Sequence, residues 1–293
     1  MSITGSQESS GFIRGEEINQ FSNAALGLTR GIMGVLNVTP DSFSDGGRYF
    51  DLDLAIEHGY QLVSQGADIV DVGGESSRPG AEPVPAPEEL RRVIPVIKEL
   101  SKVVRISIDT FKAEVASKAV EAGASLINDI SSTLAPVAAK YGVGWVAMHM
   151  QGSPQTMQMH PYYSDVVEEV YKYLKEKVDW AHDLGIEEVW IDPGIGFGKM
   201  LDHNLAILKN LDRLSEIGVP LLVGTSRKAF LGRIARASLG VEVPPLERVD
   251  ASMASCAWCF AYGAVMMRVH DVAETRELLT LLAWPKVQPV EVG

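Results

Sequence analysis

Eight short apolar runs in this sequence each end in residues that can hydrogen-bond or carry charge. The ends are Asn37, the stretch Gly73–Gly80, Asp109, Asn128-Asp129, His149, Asp192, Thr225-Ser226-Arg227-Lys228 and Arg268-Val269-His270-Asp271. They divide into two chemical halves. Asp109, Asn128 and Asp192 are rich in acceptors and suit a flat heterocycle that presents an amino-imine edge. A carboxylate held among apolar strands needs such a donor, because burial otherwise penalises its charge. Arg268, His270 and Asn37 suit a phosphate, with the arginine offering a planar fork of donors. Lys228 fits either half. The combination points to a polar heterocycle that carries an anionic leaving group. Asp and Asn are also natural helix caps, so any one of them has a purely structural reading. Arg78, Lys228, Arg268 and His270 do not. No H-E-x-x-H, G-x-S-x-G or Walker A pattern occurs, so the motifs indicate neither a zinc protease nor a serine nucleophile nor a P-loop.

The elements that must position these groups follow one rhythm from Gly31 onward. The runs are Ile32–Asn37, Ile69–Gly73, Val103–Asp109, Ser125–Asp129, Trp145–His149, Glu188–Asp192, Pro220–Thr225 and Ala264–His270. They are mostly continuous rather than alternating, as parallel strands buried on both faces require. Helical stretches intervene at Leu52–Gln65, with Leu54, His58, Gln61 and Leu62 in helical spacing, and at Glu88–Leu100. Others run over Glu114–Glu121, Tyr163–Leu184 and Leu205–Ile217, each ended by a glycine at or just beyond its limit. Eight strand–helix repeats over roughly 250 residues predict an α/β fold of the (β/α)8 TIM-barrel kind, in which function collects at the C-terminal ends of the strands. A doubly wound open sheet is the alternative. It would place a glycine-rich phosphate loop after the first strand, and Val38-Thr39-Pro40 stands there instead. The reading is one barrel over 29–286, a short polar N-terminal extension over 1–28 and a C-terminal tail over 287–293. The loops Thr39–Tyr49 and Glu75–Glu82 are rich in Ser, Gly and Pro and hold Asp41, Phe43, Asp45 and Arg78. Long loops in a compact barrel are more often functional than idle.

The formal net charge is −12, which argues against nucleic acid as a main partner. Any anion site must therefore draw on local positive charge. Cys256 and Cys259 are the two cysteines. Their C-x-x-C spacing lies in an apolar helical stretch, so packed thiols are expected rather than a redox pair or a zinc site. Met1–Asn19 has no apolar core of the leader type, and no run approaches a membrane span of about 20 residues. The expectation is a cytoplasmic protein without membrane contact.

The residues match a family pattern. Gly34–Gly47, Asp68–Gly80, Ser107–Thr110, Asn128-Asp129, Met148-His149, Asp192–Lys199, Ser226–Lys228 and Arg268–Asp271 together resemble the dihydropteroate synthases, across Gly31–Ala283. The resemblance implies condensation of 6-hydroxymethyl-7,8-dihydropterin pyrophosphate with para-aminobenzoate. It implies that Asp109, Asn128, Met148, Asp192 and Lys228 hold the pterin. Asn37, Arg268 and His270 would hold the pyrophosphate, with Asn37 also a ligand of Mg2+. Phe43, Ser77, Arg78, Pro79, Phe197 and Ser226 would form the aminobenzoate pocket. Asp45 would stabilise a cationic intermediate of a dissociative substitution, and a homodimer would form through the last helices. Two departures stand out. Ser77 replaces the threonine common in the family, and Ile130–Gly144 is shorter than usual, which predicts a trimmed fourth helix. A pterin-binding methyltransferase or a catalytically silent pterin-binding relative would share the acceptor set. The former has less need of Arg268 and His270, and the latter would be expected to have degraded loops.

Overall fold

Each strand of this chain is short because it has only to cross a barrel wall. The computed structural model describes residues 30–39, 52–76, 82–153, 156–157 and 159–283. Its strands are β1 Gly31–Asn37, β2 Ile69–Gly73, β3 Arg105–Asp109, β4 Leu126–Asp129, β5 Gly144–Met148, β6 Val189–Asp192, β7 Leu222–Val223 and β8 Met266–Val269. The helices are α1 Leu52–Ser64, α2 Ala86–Leu100, α3 Ala113–Glu121, α4 Ala135–Tyr141, α5 Val166–Asp183, α6 Leu201–Lys209, α7 Leu211–Ser215, α8 Ala229–Leu239, α9 Val249–Ala261 and α10 Val272–Leu282. The strands are all parallel, in the order β6-β5-β4-β3-β2-β1-β8-β7. A parallel bridge between Ile191 and Leu221 joins the two ends and closes the (β/α)8 barrel.

Closure creates two apolar layers. The larger core lies between strands and helices and includes Leu36, Val70, Ile108, Ile127 and Ile191. The smaller lies inside the barrel and gathers Met33, Ile69, Leu126, Val146, Trp190, Leu222 and Met266. Side chains two residues apart on a strand share a face. The next inward positions up from that floor are Asp71, Asn128, Met148, Asp192 and Arg268. The barrel is therefore plugged with hydrocarbon below and polar above. The helices seal the outside through small residues. Gly59 on α1 lies so close to Leu100 on α2 that a Cβ there would strike the leucine side chain.

The structure moves several expected boundaries. The buried face of α1 is Ala55, Gly59 and Leu62, whereas Leu54 is exposed. The helix expected over Leu205–Ile217 is two helices that meet at Asn210, whose φ of −129° and ψ of 37° break the helical path. The helix after β4 is α4, seven residues long and ended by Gly142 at φ 65°. Cys256 and Cys259 are free and fully buried on α9, as packed thiols. Among the described residues, no helix is long and apolar enough to cross a membrane.

Asp129 shows what the strand alternation does to a pair of neighbours. Asn128 faces the barrel interior, so Asp129 faces outward, beneath α4. Its Oδ1 accepts from the Ser131 backbone N–H at 2.9 Å and the Ser131 hydroxyl at 2.6 Å. Its Oδ2 accepts from the backbone N–H of Thr133 at 2.7 Å and Leu134 at 2.6 Å, and from Trp145 Nε1 at 3.2 Å. Asp129→Ala should therefore lower the unfolding free energy by about 3–5 kcal/mol, since several buried donors lose their acceptor at about 1–3 kcal/mol each. Urea titration reads this directly, and a loss below about 1 kcal/mol, the net worth of one ordinary hydrogen bond, would contradict the structural role.

Candidate functional site

The polar ends of β2, β3, β4 and β8 meet in one buried network. Arg268 on β8 donates from Nε to Asp71 Oδ2 on β2 at 2.6 Å, and from Nη2 to Asp109 Oδ2 on β3 at 2.7 Å. Asn128 Nδ2 on β4 donates to the same Asp71 oxygen at 3.0 Å. Asp71 is 0% exposed, Asn128 4% and Asp109 9%. One cation, its side chain 20% exposed, thus sits between two largely buried carboxylates. Burial pushes the Asp109 carboxyl up to about 7, with the Arg268 charge opposing the rise and Asp71 adding to it. Burial alone would weaken the Arg268 charge, yet Asp71 and Asp109 outweigh it and hold the guanidinium above its ordinary range.

A second cluster forms at the ends of β6 and β7. Asp192 accepts the Gly194 N–H at 2.7 Å. Burial raises its carboxyl, and the charge of Lys228 works against that rise. Lys228 donates to the Ile195 carbonyl at 2.5 Å and lies 4.9 Å from the centroid of the Phe197 ring. Burial pushes Lys228 down to about 8, and Asp192 holds it up. Beneath this loop Lys199, 1% exposed, donates to the carbonyls of Phe197 at 3.0 Å, Gly194 at 3.1 Å and His149 at 3.2 Å, and lies 2.9 Å from His149 Nδ1. It fastens the 194–198 turn against β5. Gly194 is required there, because at φ 64° a Cβ would run into the His149 carbonyl.

The third part lies between β7 and β8. Ser226 Oγ is 3.1 Å from His270 Nδ1 and accepts the His270 backbone N–H at 3.2 Å. Arg227, at φ 59°, turns away to pair with Asp271. That sharp turn leaves Ser226 and Lys228 on the side of the barrel mouth. Asn37, at the end of β1, has its Oδ1 beside the Cβ-less face of Gly73; a Cβ there would lie 3.8 Å from it and 3.7 Å from Asp109 Oδ2.

The structure therefore brings Asp109, Asn128 and Arg268 into one network, Asp192, Lys228 and Phe197 into a second, and Ser226 with His270 into a third. Met148, 3% exposed, stands in register with Asp192. Phe43, Asp45, Ser77, Arg78 and Pro79 lie outside the described residues. Two polar strand ends do not serve the mouth. Asp129 faces outward, and His149 packs its ring edge-on to Tyr173 at 5.0 Å and against Lys199. Sequence reasoning gave no role to Asp71 or Lys199. The signal for Asp71 was present: a carboxylate inside the apolar run Ile69–Val72, two residues before the strand end. Lys199 carried no local signal, since only the fold shows that its surroundings are closed.

Comparison with known proteins places this geometry. Residues 33–270 match a family described as pterin binding enzyme. The dihydropteroate synthase of Clostridium beijerinckii is 44% identical over 253 residues, 83% of this chain and 89% of that protein. A solved structure of Xanthomonas albilineans dihydropteroate synthase with 4-aminobenzoic acid has a TM-score of 0.80 at 44% identity, covering 88% of this chain and 94% of that one. The same organism's enzyme in complex with 7,8-dihydropteroate has a TM-score of 0.77 at 42% identity, covering 88% and 95%.

Lys199 gives the site a measurable pH signature. Burial pushes its amine down to about 7, with Asp192 opposing and Lys228 assisting. Free lysine titrates near about 10.4, so between these values the unfolded chain binds more protons here than the folded one, and stability rises with pH. Lys199→Met removes that titration. The wild-type unfolding free energy minus that of the variant should climb between about pH 7.5 and 9.5, by up to about 1.4 kcal/mol per pH unit. Denaturant titrations across that range check it, and a flat or falling difference would show that the amine stays charged.

Proposed function

This chain belongs to the pterin-binding enzymes, and from that membership and the charges of its mouth we infer that it works as a dihydropteroate synthase. It condenses 6-hydroxymethyl-7,8-dihydropterin pyrophosphate with para-aminobenzoate and gives 7,8-dihydropteroate and pyrophosphate. The observation that carries this reading is the division of one buried mouth into an acceptor half and a cationic half that touch each other at Asp109 and Arg268. A ligand that satisfies both must carry donors at one end and an anion at the other.

The residues divide the work accordingly. Asp109, Asn128 and Asp192 accept from the amino-imine edge of the pterin, with Lys228 beside them and Met148 as an apolar wall. The carboxyls of Asp109 and Asp192 are raised by burial in spite of Arg268 and Lys228 beside them, and donors on a heterocycle edge would offset that burial. Arg268, His270 and Asn37 receive the pyrophosphate. Fixed cations in a low-dielectric mouth favour its departure, because the donors are already in place when charge develops on the leaving oxygens. The pterin ring delocalises the positive charge left on the methylene carbon. The aryl amine attacks as the neutral species, and the nitrogen then loses one proton to the released pyrophosphate or to water, so the attack itself asks for no strong base. Phe197 and Ser226 border the aminobenzoate side, together with Phe43, Ser77, Arg78 and Pro79. Asp45 stabilises the cation. Mg2+ brought in with the pyrophosphate would neutralise part of the leaving group's charge. The Asn37 side-chain oxygen is a hard donor suited to that ion.

We also place the homodimer contact on α9 and α10, where Trp258 and Leu281 are 44% and 70% exposed, and assign the enzyme to the cytoplasm.

Asp109→Ala and Asp192→Ala should each abolish binding of 6-hydroxymethylpterin in calorimetry while thermal unfolding stays cooperative. Near wild-type affinity in either would remove that carboxylate from the pterin site. Arg268→Ala should weaken pyrophosphate and pterin pyrophosphate by about 1.5–3 kcal/mol, the worth of a charge-assisted hydrogen bond, and plain pterin far less. Equal losses for all three ligands would make Arg268 structural and favour a methyl-transferring barrel over a synthase. Asp45→Asn tests the cation. Asn serves a turn as well as Asp does, so a silent substitution, with a rate within about twofold of wild type, would refute the role. The expected result is a fall of more than about tenfold in turnover with little change in pterin affinity.

A further inference from the structure

Asp71 is the most deeply buried charged group at the mouth, and no step described above uses it. It is 0% exposed and two positions before Gly73 on β2, where Gly73 stands in register with Asp109 and Asp109 with Asn128. Its Oδ2 is engaged twice, by Arg268 Nε at 2.6 Å and Asn128 Nδ2 at 3.0 Å. Its Oδ1 has no partner, and neither has Ser107 Oγ, which belongs to its register partner on β3.

We propose that Asp71 is a positioning residue that fixes the rotation of Arg268 and the polarity of Asn128, so that the anion half and the heterocycle half of the site are set by one buried carboxylate.

The geometry of the guanidinium carries the first part. Arginine has five N–H donors in a plane. Nε–H and the neighbouring Nη2–H share one edge, and that edge is spent on Asp71 and Asp109. The opposite fork, Nη1 with the second Nη2–H, has no partner among the described residues. A bidentate fork is the arrangement that phosphate oxygens bind. Were Asp71 absent, Nε would have no acceptor. Arg268 would then be free to turn its side edge toward Asp109 alone, and the fork would lose its orientation.

The chemistry of the carboxylate carries the second part. An ionised carboxylate only accepts, so the Asn128 amide must present its nitrogen to Asp71. That leaves Asn128 Oδ1 as an acceptor for a ligand donor. With an amide at position 71, Asn128 can reverse and present a donor to the ligand's donor edge instead.

The proposal rests on the assignment of Arg268 to the pyrophosphate, and a double-mutant cycle separates the two. Pyrophosphate affinity is measured by calorimetry for the wild type, Asp71→Asn, Arg268→Ala and the double variant. Asp71→Asn should weaken pyrophosphate by about tenfold or more when Arg268 is present, as expected for a misdirected charge-assisted fork. In the Arg268→Ala background it should cost less than about twofold, since independent effects add and shared ones do not. A loss of equal size in both backgrounds, or none in either, overturns the proposal and gives Asp71 a structural role only. If Arg268→Ala itself binds pyrophosphate as the wild type does, the anion assignment falls and this inference falls with it. A measurement on the wild-type fold guards against an unstable variant. The Arg268 Nε–H resonance, identified by its loss in Arg268→Lys, should stay protected from exchange when pyrophosphate saturates the site. Its disappearance on titration would show that the arginine leaves Asp71 to bind the anion, contrary to the proposal.

Discussion

A guanidinium on the last strand, closed onto carboxylates of the second and third strands, is the interaction on which this barrel mouth depends. Arg268 reaches Asp71 and Asp109 across the interior, 197 and 159 residues away in sequence. Buried charges of this kind are costly unless paired, and leaving one unpaired costs more than the pair is worth. The contact therefore demands a closed barrel with β8 beside β1 and β2 in the observed register. It also leaves the mouth charged but incompletely satisfied. One cation faces two carboxylates, and its outer fork has no acceptor among the described residues.

The alternation of side chains along each strand converts this constraint into a site. Inward positions descend from polar groups at the strand ends to the hydrocarbon floor of Met33, Ile69, Leu126, Trp190 and Met266. The floor excludes water from below, which strengthens each electrostatic contact above it. Outward positions on the same strands serve the scaffold. Asp129 ties the turn into α4, and Asp271 anchors the sharp turn at Arg227 that presents Ser226 and Lys228. One residue step thus separates groups available to chemistry from groups consumed by folding.

This explains what was legible in the sequence. Continuous apolar runs with polar ends gave the strands within a few residues, because burial on both faces leaves a strong one-dimensional signal. The shortest strand, Leu222–Val223, is shorter than its sequence run Pro220–Thr225, since apolar character continues beyond the paired residues. Asp109, Asn128, Asp192 and Arg268 were legible because they are polar at the end of a run. Asp71 was not given a role, because parity within a strand shows only that a side chain shares a face with its neighbours, not what stands opposite. Lys199 and His149 depend on each other across 50 residues, and no local pattern announces that. The break at Asn210 was hidden because apolar spacing continues through it, from Ile207 to Leu211 and Leu214.

The division of the mouth into an acceptor half and an anion half is tested most directly by catalysis itself. The full chain would be mixed with 6-hydroxymethyl-7,8-dihydropterin pyrophosphate, para-aminobenzoate and magnesium, with pyrophosphate release and dihydropteroate formation followed together. The expected result is release in step with dihydropteroate, dependent on the aryl amine. Pyrophosphate release at the full rate without the amine, or no coupled product with both substrates bound, would contradict it.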